Sequence, residues 1–214
     1  MKVSSSKEKI LKKIREALSN PVSLPFPKSE GKSSVFTESP KDLEILFAEE
    51  FTNLLGKFAF CINESDAKNQ IKQLANQQKW KNIYCVEKRV SDFLKVGDFP
   101  VINQSSLHDC DAAITSCHYL VARTGAIVMS SAQESGRTVS AYAPVHICIA
   151  YIDQLVFDTR DALKSLKNKY GNNLPSFITF AAGPSRTADI EKTLVVGVHG
   201  PKEVYLFLID KPSL

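Results

Sequence analysis

The segment GPSRTADIE at residues 183–191, followed by GVHGP at residues 197–201, decides how the second half of the chain folds. The apolar run FITFAA at residues 177–182 leads into this segment, and VYLFLI at residues 204–209 follows it. Runs of this length, rich in β-branched and aromatic residues, are typical of strands buried on both faces. The segment therefore connects two predicted buried strands.

Between these strands the sequence predicts a tight turn and then a helix. Gly183 and Pro184 favour the turn. Thr187 suits the N-cap position of the helix, and Asp189 is favoured near its positive end. In an open α/β sheet this order places free amides in the crevice beyond the strand's carboxyl end. A ligand-binding crevice is therefore expected here.

Arg186 indicates that the ligand is an anion. Its guanidinium can hold a carboxylate or phosphate through two parallel hydrogen bonds, and the hydroxyls of Ser185 and Thr187 lie beside it in sequence. The alternative is a purely structural turn, in which Gly183 supplies the backbone angle and Ser185 caps the helix. Both interpretations remain open from the sequence.

His199 lies between glycines and a proline in the second segment. A histidine held in such a loop suits a general base, and we take it as the candidate catalytic residue. It equally suits a histidine that braces the final strand through its own loop. Gly200, next to it, is included among the predicted ligand-binding residues.

Five segments together resemble the LUD-domain family and, within it, the lactate utilization C group. The resemblance covers the last half of the chain well and the first half only by layout. The matching segments are GPSRTADIE and GVHGP, with RTGAIV at residues 123–128, SGR at residues 135–137 and PVH at residues 144–146.

The resemblance implies a component of L-lactate oxidation to pyruvate in the cytoplasm, acting with iron–sulfur partner subunits. Whether this chain is itself an enzyme stays open. The alternative function is a non-catalytic assembly or small-anion-sensing subunit. In the family a glutamate usually precedes Thr-Gly, but this chain has Arg123. An arginine cannot form an acyl anhydride, so a covalent acyl-glutamate intermediate is excluded at that position.

The predicted pocket combines three parts of the chain. Thr124 and Gly125 are expected to join residues 183–189, His199 and Gly200, because each part lies at a strand end. Arg186 and Arg123 offer positive charge there. The balance of charge favours a small mono-anion, such as a lactate-sized carboxylate, over a polyphosphate.

Charge and composition limit the other functions. Residues 1–40 hold 8 lysines and arginines against 4 acidic residues, whereas residues 41–214 hold 19 of each. The body therefore has no basic excess, and a nucleic-acid partner is not expected. No run of 18 apolar residues exists, so no membrane span is predicted. The charged N-terminus is unlike a secretory signal. The five cysteines are odd in number, which favours free thiols in a reducing cytoplasm over a set of disulfides.

Residues 1–40 are predicted to form an arm that is separable from the body at residues 41–214. Ile10, Ile14 and Leu18 recur with helical spacing, and a proline-rich linker at residues 21–40 follows. The helix either docks on its own domain or contacts a partner or a second copy of the chain. These interpretations remain open, as does a homo-oligomer.

From residue 41 onward, strands and helices alternate, which predicts a three-layer α/β sandwich with a mainly parallel central sheet, similar to the NagB/RpiA/CoA-transferase-like superfamily. The predicted helices are residues 43–55, 64–79, 90–94 and 158–170. The predicted strands are residues 57–62, 82–86, 112–115 and 126–130, with further sheet at residues 137–152 and 155–157 that turns back at residues 151–154.

No metal and no cofactor is expected. His108, Cys110, Cys117 and His118 are close in sequence, but their spacing matches no common zinc or iron–sulfur pattern. Walker and Gly-x-Gly-x-x-Gly phosphate loops are also absent from the sequence. Tightly bound ATP or NAD is therefore not supported.

Overall fold

The computed structural model describes residues 5–19, 42–95, 102–103, 106–190 and 193–211. The chain divides into two units, Met1–Glu38 and Ser39–Leu214. The first unit contains helix α1, Ser5–Ser19. Its Ile10, Ile14 and Leu18 side chains are exposed. The predicted linker at residues 21–40 lies outside the described residues.

In its described residues the second unit consists of short strands and five further helices. The helices are α2 Leu43–Asn53, α3 Glu64–Gln78, α4 Lys88–Lys95, α5 Val139–Tyr142 and α6 Thr159–Tyr170. The strands are β1 Lys57–Cys61, β2 Ile83–Tyr84, β3 Ile102–Asn103, β4 Ala112–Ser116, β5 Tyr119–Val121, β6 Ala126–Ser130, β7 Val145–Tyr151, β8 Leu155–Val156, β9 Ile178–Ala181, β10 Arg186–Ile190, β11 Thr193–Val196 and β12 Glu203–Ile209. None of the helices in the described parts of the chain is long and apolar enough to cross a membrane.

The central sheet has the strand order β1-β12-β7-β4-β2-β3, and every pair in it is parallel. Its longest pairing joins β12 to β7 from Glu203 opposite Val145 to Ile209 opposite Tyr151. This confirms the predicted α/β fold with a mainly parallel central sheet. Parallel strands expose their carboxyl ends along one edge and their amino ends along the other, and we call these the carboxyl edge and the amino edge of the central sheet.

Strand β12 shows why the apolar run at residues 204–209 forms a central strand. Val204, Leu206 and Leu208 pack on one face, together with α2 and the second sheet. The alternate residues, including Tyr205 and Phe207, pack on the other face with α3 and α4. Because both faces are covered, every position from 204 to 209 must be apolar, which matches the sequence.

A second sheet has the order β8-β5-β6-β9. Strand β6 is antiparallel to both β5 and β9, and β8 runs parallel to β5. Phe47 and Phe51 of α2 are fully buried against residues of both sheets, such as Leu120 of β5 and Leu206 of β12. The side chains Ala162 and Leu166 of α6 cover the other face of this second sheet. Helix α2 is thus part of the core.

Two predictions of local structure are wrong. Thr187 does not begin a helix: Arg186–Ile190 is strand β10, antiparallel to β11. The amide of Ser185 donates to Pro201 O at 2.9 Å, and the amide of Gly197 donates to Ser185 O at 2.8 Å. Backbone groups that pair in this way are not free to start a helix. The predicted anion site therefore loses the support of a helix N-terminus.

The second error concerns residues 137–157. The expected sheet there is interrupted by α5, and β8 pairs with β5 in the second sheet instead of folding back on β7. Gln154 explains the change of sheet. Its side-chain oxygen accepts from Tyr151 N at 2.7 Å, and its side-chain nitrogen donates to Cys117 O at 2.6 Å. These bonds turn the chain away from the central sheet.

Candidate functional site

The sequence motif lies at the amino edge of the central sheet. Pro201 lies two residues before the first residue of β12, and its carbonyl accepts from Ser185 N. The next amide, Lys202 N, donates at 2.8 Å to the carbonyl of Pro144, which directly precedes β7. Both contacts lie where central strands begin. The segment does follow the carboxyl end of the preceding strand, β9, but β9 belongs to the second sheet and not to the parallel central sheet.

The structure brings some of the predicted site residues together. A Cβ atom added to Gly200 would lie 2.8 Å from Ser185 Cβ, so these two residues are in direct contact. Gly183 and Gly125 both pack on the C-terminal half of α2: a Cβ on Gly183 would overlap Leu54 O, and one on Gly125 would lie 2.5 Å from Phe51 N. Both glycines have positive φ, 79° and 57°.

The side chains proposed for chemistry at this edge differ in burial. Arg186 and His199 are exposed, and Thr187 is half-buried. The Oγ1 atom of Thr124 is buried and has no hydrogen-bond partner in the described parts of the chain. The side chain of Asp189 lies outside the described residues. An exposed arginine and histidine remain hydrated, which weakens any single contact that they make.

Arg123 contacts a carboxylate of the protein. Its Nε donates to Asp158 Oδ2 at 2.5 Å, and only 3% of the Asp158 side chain is exposed. Asp158 also caps α6 by accepting from Arg160 N at 2.9 Å. Arg123 therefore joins the β5–β6 turn to the start of α6.

The carboxyl edge of the central sheet borders a cavity of about 1110 Å³. It lies where β2, β4 and β7 end and α3 begins, the usual place for ligands in an open α/β sheet. Its lining is mixed in charge. The charged lining residues are Glu64, Lys68, Glu87, Arg89, Glu134, Asp153 and Lys169, and the hydrogen-bonding ones include Ser116, His118, Gln133, Tyr151 and Gln154.

Glu87 is the most buried acidic residue of this cavity, with 7% exposed. Its Oε2 atom accepts from Ser116 N at 2.9 Å and from Ser116 Oγ at 2.5 Å. Gln133 holds Ser116 in turn, because its Nε2 donates to Ser116 O at 3.1 Å and to Ser116 Oγ at 3.2 Å. The other oxygen, Oε1, is buried without a partner among the described residues.

His118 lies in the same cavity. Its Nε2 is 2.8 Å from Ser130 Oγ, and its ring meets Tyr170 edge-on with 5.9 Å between ring centroids. Burial, with a smaller effect from the charge of Lys169, lowers the pKa of His118 from 6.5 to about 4. The imidazole is therefore neutral at pH 7 and adds no positive charge to the cavity.

Sequence reasoning does not single out the cavity residues, because each looks ordinary alone. In the sequence His118 and Cys117 stand out only as possible metal ligands, and Glu87 does not stand out. The one available signal was position, since Glu87 follows a predicted strand at residues 82–86. In the described parts of the chain, no group of three or more His, Cys, Asp or Glu residues is arranged to hold a metal ion.

Comparison with known proteins identifies the family. The LUD domain model matches residues 101–209. Proteins named lactate utilization protein C match over about half of the chain: 39% identity over 104 residues in Halalkalibacterium halodurans (47% of this chain, 45% of the relative), 30% over 113 residues in Deinococcus radiodurans (52% of each) and 33% over 112 residues in Bacillus subtilis (51% and 47%).

The matched part of the chain spans about half the length of these curated relatives. A crystal structure of a DUF162 family protein from Deinococcus radiodurans has a similar fold, with a TM-score of 0.58 at 17% identity, over 78% of this chain and 96% of that one. The predicted resemblance is thus confirmed by the family model and by the relatives, and the crystal structure shows a similar fold. The chain belongs to the LUD domain family.

Proposed function

We propose that this protein acts in lactate utilisation, as a component of the oxidation of lactate to pyruvate. The observation that carries the proposal is the 30–39% identity to proteins named lactate utilization protein C. The matched region, residues 101–209, contributes β4 and β7 at the carboxyl edge and the sequence motif at the amino edge. Both candidate sites therefore draw on the matched half.

The oxidation removes two electrons and two protons from lactate, so the reaction needs an electron acceptor. We propose that iron–sulfur partner subunits accept the electrons. One feature of this chain supports a role in assembly: Ile10, Ile14 and Leu18 leave an apolar stripe of α1 exposed, at 59%, 48% and 75%. An exposed stripe of this kind suits contact with another protein.

Growth tests the proposed function. A strain that lacks this gene should fail to grow on L-lactate as sole carbon source, while it grows normally on pyruvate. A plasmid copy of the gene should restore growth on lactate. If the deleted strain grows on both carbon sources at the parental rate, the role in lactate utilisation is wrong.

Co-purification tests the partners. The tagged full chain, expressed from its own locus, should retain proteins that contain iron and acid-labile sulfide. The matched control is the same chain with Ile10, Ile14 and Leu18 changed to serine, which removes the exposed stripe of α1. Equal recovery of iron and sulfide with both chains would show that the stripe does not bind these partners.

A further inference from the structure

The cavity at the carboxyl edge contains a carboxylate oxygen that has no donor. Only 7% of Glu87 is exposed, and its Oε1 atom has no hydrogen-bond partner in the part of the chain that the structure describes. A buried, unpaired carboxylate oxygen costs free energy, because it has lost its hydrogen bonds to water without gaining a donor from the protein. A ligand that donates a hydrogen bond there would remove this cost.

The Glu87 side chain is also held in one orientation. Ser116 donates to Oε2 through both its amide and its hydroxyl, at 2.9 and 2.5 Å. Gln133 fixes Ser116 by donating to its carbonyl and hydroxyl oxygens, and the Gln133 side-chain oxygen accepts from Ser130 N at 2.9 Å. The unpaired oxygen is therefore presented by a fixed set of contacts, as a binding site requires.

The other carboxylates of the cavity are in a different state. Glu64 Oε1 accepts from Tyr151 Oη at 3.2 Å and lies 3.5 Å from Lys211 Nζ. Glu134 is exposed, and its Oε2 accepts from Lys88 N at 2.5 Å. Asp153 is exposed, so only Glu87, among the four carboxylates that line the cavity in the described residues, combines deep burial with an unpaired oxygen. It is therefore the residue that a donor group on a ligand would satisfy.

The cavity also carries three cationic side chains, those of Lys68, Arg89 and Lys169. The guanidinium of Arg89 lies 5.7 Å from the ring centre of Tyr151. Because four carboxylates line the same cavity, a negatively charged group of a ligand must lie beside these cations, with a donor group beside Glu87. A hydroxyl and a carboxylate on one small molecule meet both requirements.

We propose that the carboxyl-edge cavity binds a hydroxy carboxylate, with the ligand hydroxyl donating to Glu87 Oε1 and the ligand carboxylate facing the cationic side chains. The cavity, at about 1110 Å³, exceeds the usual size of small-molecule sites, so hydroxy acids larger than lactate belong to the class. The choice of L-lactate as the probe rests on the proposed function, whereas the site itself does not.

Binding measured by calorimetry with the full chain tests the site. L-Lactate and propionate have the same carbon chain and carboxylate, and only lactate has the hydroxyl. A hydrogen bond to a charged group predicts that lactate binds about 10- to 100-fold more tightly than propionate. Equal affinity for the two acids, or no binding of L-lactate, overturns the proposal, and this comparison needs no variant.

Glu87→Gln provides the matching variant. Its amide oxygen can replace Oε2 as acceptor from Ser116, and its NH2 group then stands at the position of Oε1. A donor in place of an acceptor should abolish the preference for lactate over propionate and favour pyruvate, whose keto oxygen accepts hydrogen bonds. Asp92→Asn, which removes the same charge from an exposed position of α4 outside the cavity lining, should keep the wild-type preference.

The outcomes separate the site from the proposed function. If Glu87→Gln keeps the preference for lactate, the site is wrong, even where deletion of the gene abolishes growth on lactate. If the preference for lactate over propionate depends on Glu87 but the deleted strain still grows on lactate, the proposed site is supported and the proposed role in lactate utilisation is wrong. An equal loss of preference in Asp92→Asn would also count against Glu87 as the acceptor.

Discussion

The Nε atom of Arg123 lies 2.5 Å from Oδ2 of Asp158, and the Asp158 side chain is almost fully buried. Asp158 has a second role, because it caps α6. The pair therefore connects the β5–β6 turn to the helix that covers the second sheet. Breaking it leaves a buried carboxylate without its cation, which costs more than the pair contributes when intact.

Arg123→Met should therefore lower the free energy of unfolding by about 1–3 kcal/mol, the cost of an unsatisfied buried group. Arg123→Glu should cost more, since two carboxylates would then face each other. Urea unfolding measures both. Lys164→Met, which removes an exposed cation from α6, serves as the control and should change stability by less than about 0.5 kcal/mol. A neutral Arg123→Met would refute this account of the pair.

Gly125 permits close contact between the β5–β6 turn and α2. Its φ is 57°, and an added Cβ would lie 2.5 Å from Phe51 N, a backbone atom of α2. Gly125→Ala should thus lower stability through both backbone strain and overlap. Gly136 has a similar φ of 64° with nothing within 4 Å of an added Cβ, so Gly136→Ala measures the strain alone.

We expect about 1–2 kcal/mol of destabilisation for Gly136→Ala and about 1–3 kcal/mol more for Gly125→Ala. Thermal or urea unfolding of the two variants gives the difference directly. Equal losses would mean that α2 moves away at no cost, and the contact between the turn and α2 would then have no structural importance.

His146 makes stability depend on pH. Burial lowers the pKa of His146 from 6.5 to about 4. Its Nε2 is 2.8 Å from Thr115 Oγ1, and its Nδ1 has no partner in the described residues. A histidine whose folded pKa is below its unfolded value contributes stability that is complete above pH 6.5 and is lost as the pH falls towards 4, because the unfolded chain binds the proton first.

The free energy of unfolding should fall by on the order of 3 kcal/mol over this range from His146 alone. His146→Gln should reduce the slope of the profile between pH 6.5 and 5, whatever its stability at pH 7, and the lowered pKa of His118 accounts for slope that remains. His108→Gln, which removes an exposed histidine, is the control. A wild-type slope in His146→Gln would contradict the assignment.

The sequence predicted the central sheet well because its strands are recognisable without their neighbours. The run at residues 204–209 is apolar at every position, and only a strand covered on both faces requires that. The helix from Glu64 is equally clear, since Ala67, Ile71 and Ala75 recur with helical spacing, and all three are buried. Local chemistry was sufficient for these elements.

Two features depend on distant partners, and the sequence alone could not predict them. Residues 186–190 contain a hydroxyl and an acid after Gly-Pro, which suits a helix start as well as a strand. Pairing with residues 193–196 selects the strand. Glu87 resembles any surface glutamate until Ser116, 29 positions later, donates to it. Burial of that carboxylate is a property of the folded chain.

The arm remains a prediction based on charge and composition. Residues 1–40 hold the whole basic excess and include the proline-rich segment at 21–40. Limited trypsin digestion should therefore cut first at Lys28 or Lys32 and leave a folded remainder. The melting temperature of the purified remainder checks this, since it should match that of the intact chain. Digestion that unfolds the remainder would mean that the arm belongs to the body.

The last prediction concerns the anion site proposed at the amino edge. Arg186 is exposed beside Ser185, whose backbone is fixed by bonds to Pro201 and Gly197. Sulfate should raise the melting temperature, with a gain that grows as its concentration exceeds the dissociation constant. Arg186→Ala should weaken sulfate binding by about 1.5 kcal/mol, the lower end for a charged hydrogen bond, because the side chain is solvated. Lys202→Ala removes an exposed cation from the same edge and is the control. The same shift in all three proteins would mean that sulfate acts generally and that Arg186 binds no anion.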